Sequence, residues 1–323
     1  MNYGFNDQKI NQWLGRVPVT LSKSFTLDKV DATPYFLRLA QLDTVGEIWL
    51  NDETFSSENF HADKILNISS ALRKGPNNLT IIISGPVTEA EKRSKQANQP
   101  PNCPPDVQNG QCHVNWLRKP AFSFSWDWGP SLPDSGLYQA PEIYSLPKWK
   151  ILDSTLQLVS KFGDSNQIIR ADFYIQLNNI QYPVFDSVSL TLKGPKNIKM
   201  QVRKYSFYDM LDGIGVRLFG ELSCSTSDVD WWWPNGHGDQ PIYDTLAEVT
   251  AYGITNTVES YFAFRTVELA QDKMKDGHSF YFKINDKPIF MSGSNFIPLD
   301  PVVRKKLNIL HFLRILQVVQ LFK

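Results

Sequence analysis

The chain has 323 residues, more than the roughly 100 to 200 typical of one domain, so two or more domains with real cores are expected. Its 33 basic residues balance 33 acidic ones, which leaves no summed field to recommend nucleic acid or another polyanion as a partner. Aromatic residues are plentiful, with 9 Trp, 12 Tyr and 20 Phe, but flat rings suit β-rich cores and the apolar faces of sugars equally well.

The N-terminal stretch MNYGFNDQKINQW has no basic start followed by an apolar run, so no signal peptide is read in it. No run is apolar enough to span a bilayer. Period-two alternation then begins. Val17, Val19 and Leu21 continue to Phe25 and Leu27, Tyr35, Leu37 and Leu39 follow, and EIWLNDET makes two short runs turning at Asn51-Asp52. Asn67-Ile68-Ser69 and Asn78-Leu79-Thr80 are N-glycosylation sequons, which place Asn67 and Asn78 as glycan acceptors. From about Glu89 to Asn115 a polar segment rich in Pro, Asn and Gln fits no strand pattern and reads as a long loop. Within it lies CPPDVQNGQC. With the sequons it favours a secretory origin, in which Cys103 and Cys112 close a small disulfide loop and Cys224 stays free; two idle thiols are the alternative. No metal is expected, because neither a C-x-x-C nor an H-E-x-x-H spacing occurs.

The stretch SFSWDWGP sets Asp127 between Trp126 and Trp128 and stops on Gly129-Pro130. A carboxylate between rings could be a catalytic acid, a sugar clamp or a loop lock. Just before it, Asn115, Arg118 and Lys119 could reach a substrate, but a solvated basic pair packed against the loop is the stronger reading. The Pro-rich APEIYSLPKWK, Ala140 to Lys150, marks a domain seam. Beyond it Ile169, Ala171, Phe173, Ile175 and Leu177 take every second place, then Val188, Leu190 and Leu192 before a Gly-Pro stop. Further strands are read over 214–222, 246–252 and 258–264. With no long amphipathic helix before about residue 265, this part is all-β and too long for one simple sandwich. In WWWPNGHGDQ the turn on Pro234-Asn235-Gly236 is expected to hold His237 by hydrogen bonding across a domain seam, with the three tryptophans packing at an interface; His237 as an acid or base is the lesser reading.

The motifs CPPDVQNGQCHVNWLRKPAFSFSWDWGPSLPDSGLY, WWWPNGHGDQPIY, FRTVEL and FYFKINDKPIFMSGSNFIP, in this order and spacing, resemble the animal lysosomal β-mannosidases of glycoside hydrolase family 2, from about Tyr3 to Pro298. The resemblance implies a mainly β fold: a jelly-roll sugar-binding domain over 1–146, an immunoglobulin-like β-sandwich over 147–267, and the start of a (β/α)8 barrel over 268–323. It implies a lysosomal protein without a cofactor, acting on terminal non-reducing β-D-mannose in glycoprotein-derived oligosaccharides through two barrel glutamates. Asp127, with Trp126 and Trp128, would reach over the barrel mouth to help hold the mannose, and Asn295 would stand at the end of the first barrel strand. The sequence departs from the pattern at both ends. The resemblance starts inside the jelly roll, leaving its N-terminal edge incomplete, and dissolves after Pro298, whereas a barrel takes about 250 residues. No residue here is therefore expected to be catalytic, and the chain is expected to be inactive alone. A non-catalytic carbohydrate-binding pair of sandwiches, or a truncated or frameshifted gene model without a stable product, are the alternatives.

After Pro298 the stretch VVRKKLNILHFLRILQVVQLFK carries recurrent apolar pairs and five basic residues with no acidic one. As a helix it has more apolar surface than one face can hide, and self-association through this tail is expected. Deleting residues 302–323 should raise the monomer fraction in gel filtration; a full-length chain that already elutes as a monomer contradicts this.

Overall fold

The computed structural model describes residues 10–100, 103, 110–125, 130–146, 148–178, 185–194, 196–201, 205–209, 215–291 and 293. They fall into two compact units that divide between Ser145 and Leu146. The fold is mainly β, and among the described residues no helix is long and apolar enough to cross a membrane.

The first unit is a jelly-roll-like pair of antiparallel sheets. Strands β1 (Val19–Leu27), β2 (Tyr35–Leu39), β3 (Leu42–Asp43), β4 (Gly46–Leu50), β5 (Glu53–Ser57), β6 (Lys64–Asn67) and β7 (Gly75–Ile83) precede one helix, α1 (Pro86–Ser94), and β8 (Gly136–Leu137) and β9 (Glu142–Ser145) close the unit. One sheet runs β1-β7-β4-β5 and the other β6-β2-β9, with β3 paired to β8. Alternation explains the core: Leu37 and Leu39 of β2, Ile48 and Leu50 of β4, and Ile81 and Ile83 of β7 are all buried and share one cluster. The β4–β5 hairpin turns at Asn51-Asp52 as expected. Asn51 has φ 53°, a left-handed conformation that Asn tolerates, and its Nδ2 donates to Ala71 O at 2.7 Å.

Helix α1 corrects the loop reading of the segment that begins near Glu89. Pro86 supplies a preset first turn, Val87 and Ala90 are fully buried one turn apart, and Glu89 accepts from Arg93 Nε at 2.7 Å. Nine residues with two apolar anchors give too weak a period to be read.

The second unit is an immunoglobulin-like sandwich. Its strands are β10 (Trp149–Leu158), β11 (Asn166–Leu177), β12 (Phe185–Lys193), β13 (Ile198–Gln201), β14 (Tyr205–Asp209), β15 (Gly215–Ser225), β16 (Tyr243–Ala251) and β17 (Ile254–Phe262). The sheets run β10-β11-β15-β14 and β13-β12-β16-β17. In strand letters these are ABED and CFG with one added strand at the C edge, the constant-type arrangement. The alternating set Ile169, Ala171, Phe173 and Ile175 fills the core opposite Val188, Leu190 and Leu192. Tyr243, fully buried at the start of β16, receives the Asp230 backbone N–H on its hydroxyl at 3.0 Å, a tyrosine corner. A Cβ on Gly194 would come within 2.5 Å of the Tyr243 ring, so this stop needs glycine for close approach.

Past the sandwich, β18 (Val267–Ala270), β21 (Tyr281–Ile284) and β22 (Lys287–Ile289) form an antiparallel sheet, with a small hairpin of β19 (Lys273–Met274) and β20 (Gly277–His278) between them. Of the barrel strand expected at FMSGSN, Phe290, Met291 and Gly293 are described and lie in no strand; Ser292, Ser294 and Asn295 lie outside the described residues. The tail from Val302 also lies outside them.

Candidate functional site

Trp126, Asp127 and Trp128 lie outside the described residues, as does Asn295. The structure does describe both stems of the loop that carries Asp127, and they are tied together. Ser131, on the far side, is fully buried and donates its Oγ proton to Phe124 O on the near side at 2.8 Å. The same carbonyl accepts Gln111 N–H at 2.7 Å, which joins the cysteine-bearing segment to the stem. Gln12 Nε2 donates to Ser131 O at 3.3 Å. Ser125, next to Trp126, has φ 154° and ψ 160°, a region nearly reserved for glycine. Such a conformation costs on the order of 1–3 kcal/mol and persists only where neighbours hold it.

Lys119 overturns the reading of a solvated basic pair. Its side chain has no exposure, and Nζ donates to Asp43 Oδ2 at 3.1 Å and to Asp134 O at 2.7 Å, with Asp134 Oδ1 at 3.7 Å. Tyr138 OH donates to Asp134 Oδ2 at 2.8 Å, and Thr44 Oγ1 to Asp43 Oδ1. The Phe124 ring lies 5.8 Å from Nζ. A buried ammonium persists only when paired and hydrogen-bonded, and Lys119 and Asp134 stand on opposite sides of the Asp127 loop. The ion cluster is thus a clamp across the loop's base. Burial pushes the Asp43 carboxyl above the ordinary carboxylate value, although Lys119 and Thr44 act the other way. Of the basic pair only Arg118 stays exposed, its backbone bridging Asn59, and Asn115, also exposed, donates from Nδ2 to Gln99 O at 3.2 Å.

Neither Asp43 nor Asp134 is among the candidate functional residues read from the sequence. The available signal is Asp43 itself, a carboxylate set in a run from Leu37 to Ile48 that is otherwise mostly apolar and buried. Such a group needs a buried partner, and Lys119 is that partner.

The remaining candidates take structural places. Cys103 and Cys112 are joined in a disulfide. Cys224 is free and half-buried, and burial pushes its thiol up to about 11, with Asp228 adding to the effect. A loop as short as the one between Cys103 and Cys112 gains roughly 2–3 kcal/mol by closure. Non-reducing peptide mapping should recover these two cysteines as one cross-linked species and Cys224 as the sole alkylated thiol; recovery of all three as thiols from secreted material contradicts this. Asn67 and Asn78 are exposed on the first unit. Asn67 Oδ1 accepts from Ser69 N at 3.1 Å, and Asn78 Oδ1 from Ser24 Oγ at 2.6 Å.

His237 sits exposed on its turn, where its backbone N–H donates to Pro234 O at 3.0 Å. The tryptophan run packs inside the second unit. Trp231 meets Phe162 at 4.7 Å, Trp233 meets Phe162 at 5.9 Å, and the Arg265 guanidinium lies 4.7 Å over Trp232.

A family model described as the glycosyl hydrolase 2 galactose-binding domain-like module matches residues 1–139. A probable β-mannosidase of Caenorhabditis elegans is 30% identical over 314 residues, covering 92% of this chain and 33% of that protein. A β-mannosidase of Capra hircus is 31% identical over 313 residues, covering 92% and 34%. The chain thus spans about a third of the length of the curated relatives it matches. Among solved structures, the β-D-mannosidase of Dictyoglomus thermophilum superposes with a TM-score of 0.74 at 25% identity, over 91% of this chain and 35% of that one. An exo-chitosanase of Amycolatopsis orientalis, at a TM-score of 0.58 and 14% identity over 92% of this chain and 31% of that one, shares the fold.

Proposed function

The chain belongs to glycoside hydrolase family 2, on the branch that holds the β-mannosidases, and from this we propose that it is the sugar-engaging, non-hydrolytic part of a β-mannosidase. The observation that carries the reading is the clamp of Lys119, Asp43 and Asp134 with the Phe124–Ser131 tie, because a loop that only joined two strands would have no need of a buried ion cluster at its base. On this reading Asp127 accepts hydrogen bonds from two adjacent hydroxyls of a terminal β-D-mannose, while Trp126 or Trp128 covers the apolar sugar face. Asn295 assists from the start of a barrel over 268–323, which follows the domains 1–146 and 147–267. The substrate class is glycoprotein-derived oligosaccharide, the compartment the lysosome, and Asn67 and Asn78 carry glycans.

Retaining hydrolysis needs an acid/base carboxyl and a nucleophile about 5–5.5 Å apart across the scissile bond, both open to substrate. Asp43 and Asp134 flank the Asp127 loop, yet both face the buried Lys119, and the Asp43 side chain is 1% exposed. They are unsuited to that work. On this reading these 323 residues by themselves hydrolyse nothing, and with one lip of a pocket they bind mannose more weakly than millimolar, since two charge-assisted hydrogen bonds barely offset lost translational freedom. The test is an aryl β-mannoside with purified chain at micromolar concentration beside Asp127→Ala. Background rates in both support the reading; turnover that vanishes in the variant makes Asp127 catalytic and overturns it.

A further inference from the structure

We propose that Cys103, Cys112 and His113 form a thiol-gated site for a soft divalent cation such as zinc, closed while the two cysteines are bonded and opened when an external thiol reduces them. Both sulfurs and a ring nitrogen of His113 lie within 4.8 Å of one another. Independently, His113 Nδ1 is buried and has no hydrogen-bond partner. A buried, unpaired imidazole nitrogen costs free energy that a ligand would recover.

The backbone at His113 is held in place. His113 has φ 70°, in the left-handed region, as the cap of a short 3-10 turn whose Trp116 N–H donates to His113 O at 3.0 Å. A tetrahedral zinc ion with Zn–S near 2.3 Å and Zn–N near 2.0 Å sets its ligands about 3.5–3.8 Å apart. The three atoms lie within 4.8 Å of one another, so binding needs the sulfurs to part and the His113 ring to close by no more than about an ångström. Cys103 is exposed and Cys112 half-buried, which gives both the thiol and the ion a way in. Two thiolates and one imidazole select zinc or a similar soft ion over magnesium or calcium, with water in the fourth position.

The steps balance. Two external thiols reduce the disulfide, becoming a disulfide themselves and leaving Cys103 and Cys112 as thiols; each thiol then loses one proton as the cation binds. The site does not rest on the mannosidase reading, and it sits one residue beyond Gln111, whose N–H holds the Phe124 carbonyl.

The experiment uses the whole chain with Cys224→Ser, so that only this thiol pair remains, reduced anaerobically with an excess of dithiol and desalted. Cobalt(II) is titrated as the optical probe. One equivalent should raise a thiolate-to-cobalt charge-transfer band and release two protons, the oxidised chain should show neither, and zinc should displace the cobalt. His113→Ala should weaken cobalt binding by at least the order of 10- to 100-fold that loss of even an outer-shell partner costs. No band in the reduced chain, or equal affinity in His113→Ala, overturns the proposal. Should reduction itself loosen the first unit, the melting temperature of the reduced chain is read with and without zinc. A rise that His113→Ala abolishes supports the site; no rise, or an equal rise in the variant, overturns it.

Discussion

Lys119→Met lowers the unfolding free energy of the first unit by about 3–5 kcal/mol, the cost of leaving a buried charge without its partner. The Asp43 side chain is 1% exposed and receives Nζ at 3.1 Å; methionine fills much of the volume but donates nothing. Urea unfolding with an unchanged m-value is the measurement, and a loss under about 1 kcal/mol would refute the clamp. The partner change Lys119→Met with Asp43→Leu should recover much of the loss, because a buried pair replaced by apolar groups is often neutral. The pH dependence has a definite sign. Burial raises the folded Asp43 carboxyl above its ordinary value of 3.8. Its contribution is therefore fully present below the unfolded value and is lost as pH rises through the folded one. The stability of wild type relative to Asp43→Asn should fall as pH is raised from 3.8.

The strands of both units were legible because their signal is local. Ile169 to Ile175 alternate cleanly, and Asn51-Asp52 marks its own turn, so burial and the hairpin follow from neighbours two or three residues away. Helix α1 was too short to show a period. Lys119 was misread for a different reason: beside Arg118 and before Pro120 it has the look of a surface cation, and its burial depends on Asp43, 76 residues earlier in the chain. Long-range ion pairing leaves no local pattern around Lys119 itself; the sequence signal lies at its partner, Asp43. The Asp127 motif could be singled out by its unusual neighbours, whereas what anchors its stems could be seen only once Phe124, Ser131 and Gln111 were brought together.

The largest expected change in activity comes from joining residues 1–298 of this chain to the remainder of the Capra hircus relative, in place of its aligned N-terminal segment. That relative covers 92% of this chain at 31% identity, so the joined segment keeps the fold on which the loop is mounted. The grafted remainder brings the barrel that supplies the acid and the nucleophile on our reading, and the first unit brings Asp127 to the sugar. Where the separate chain shows background alone, the chimera should hydrolyse an aryl β-mannoside. Two charge-assisted hydrogen bonds at about 1.5–3 kcal/mol each translate into a fall of about 10² to 10⁴ in kcat/KM for Asp127→Ala. The decisive measurement is therefore kcat/KM of the folded, monodisperse chimera with and without Asp127→Ala. Turnover that falls by that factor is the predicted result; a folded chimera without turnover, or one whose kcat/KM is indifferent to Asp127→Ala, contradicts the assignment of this chain as the mannose-engaging part of the enzyme.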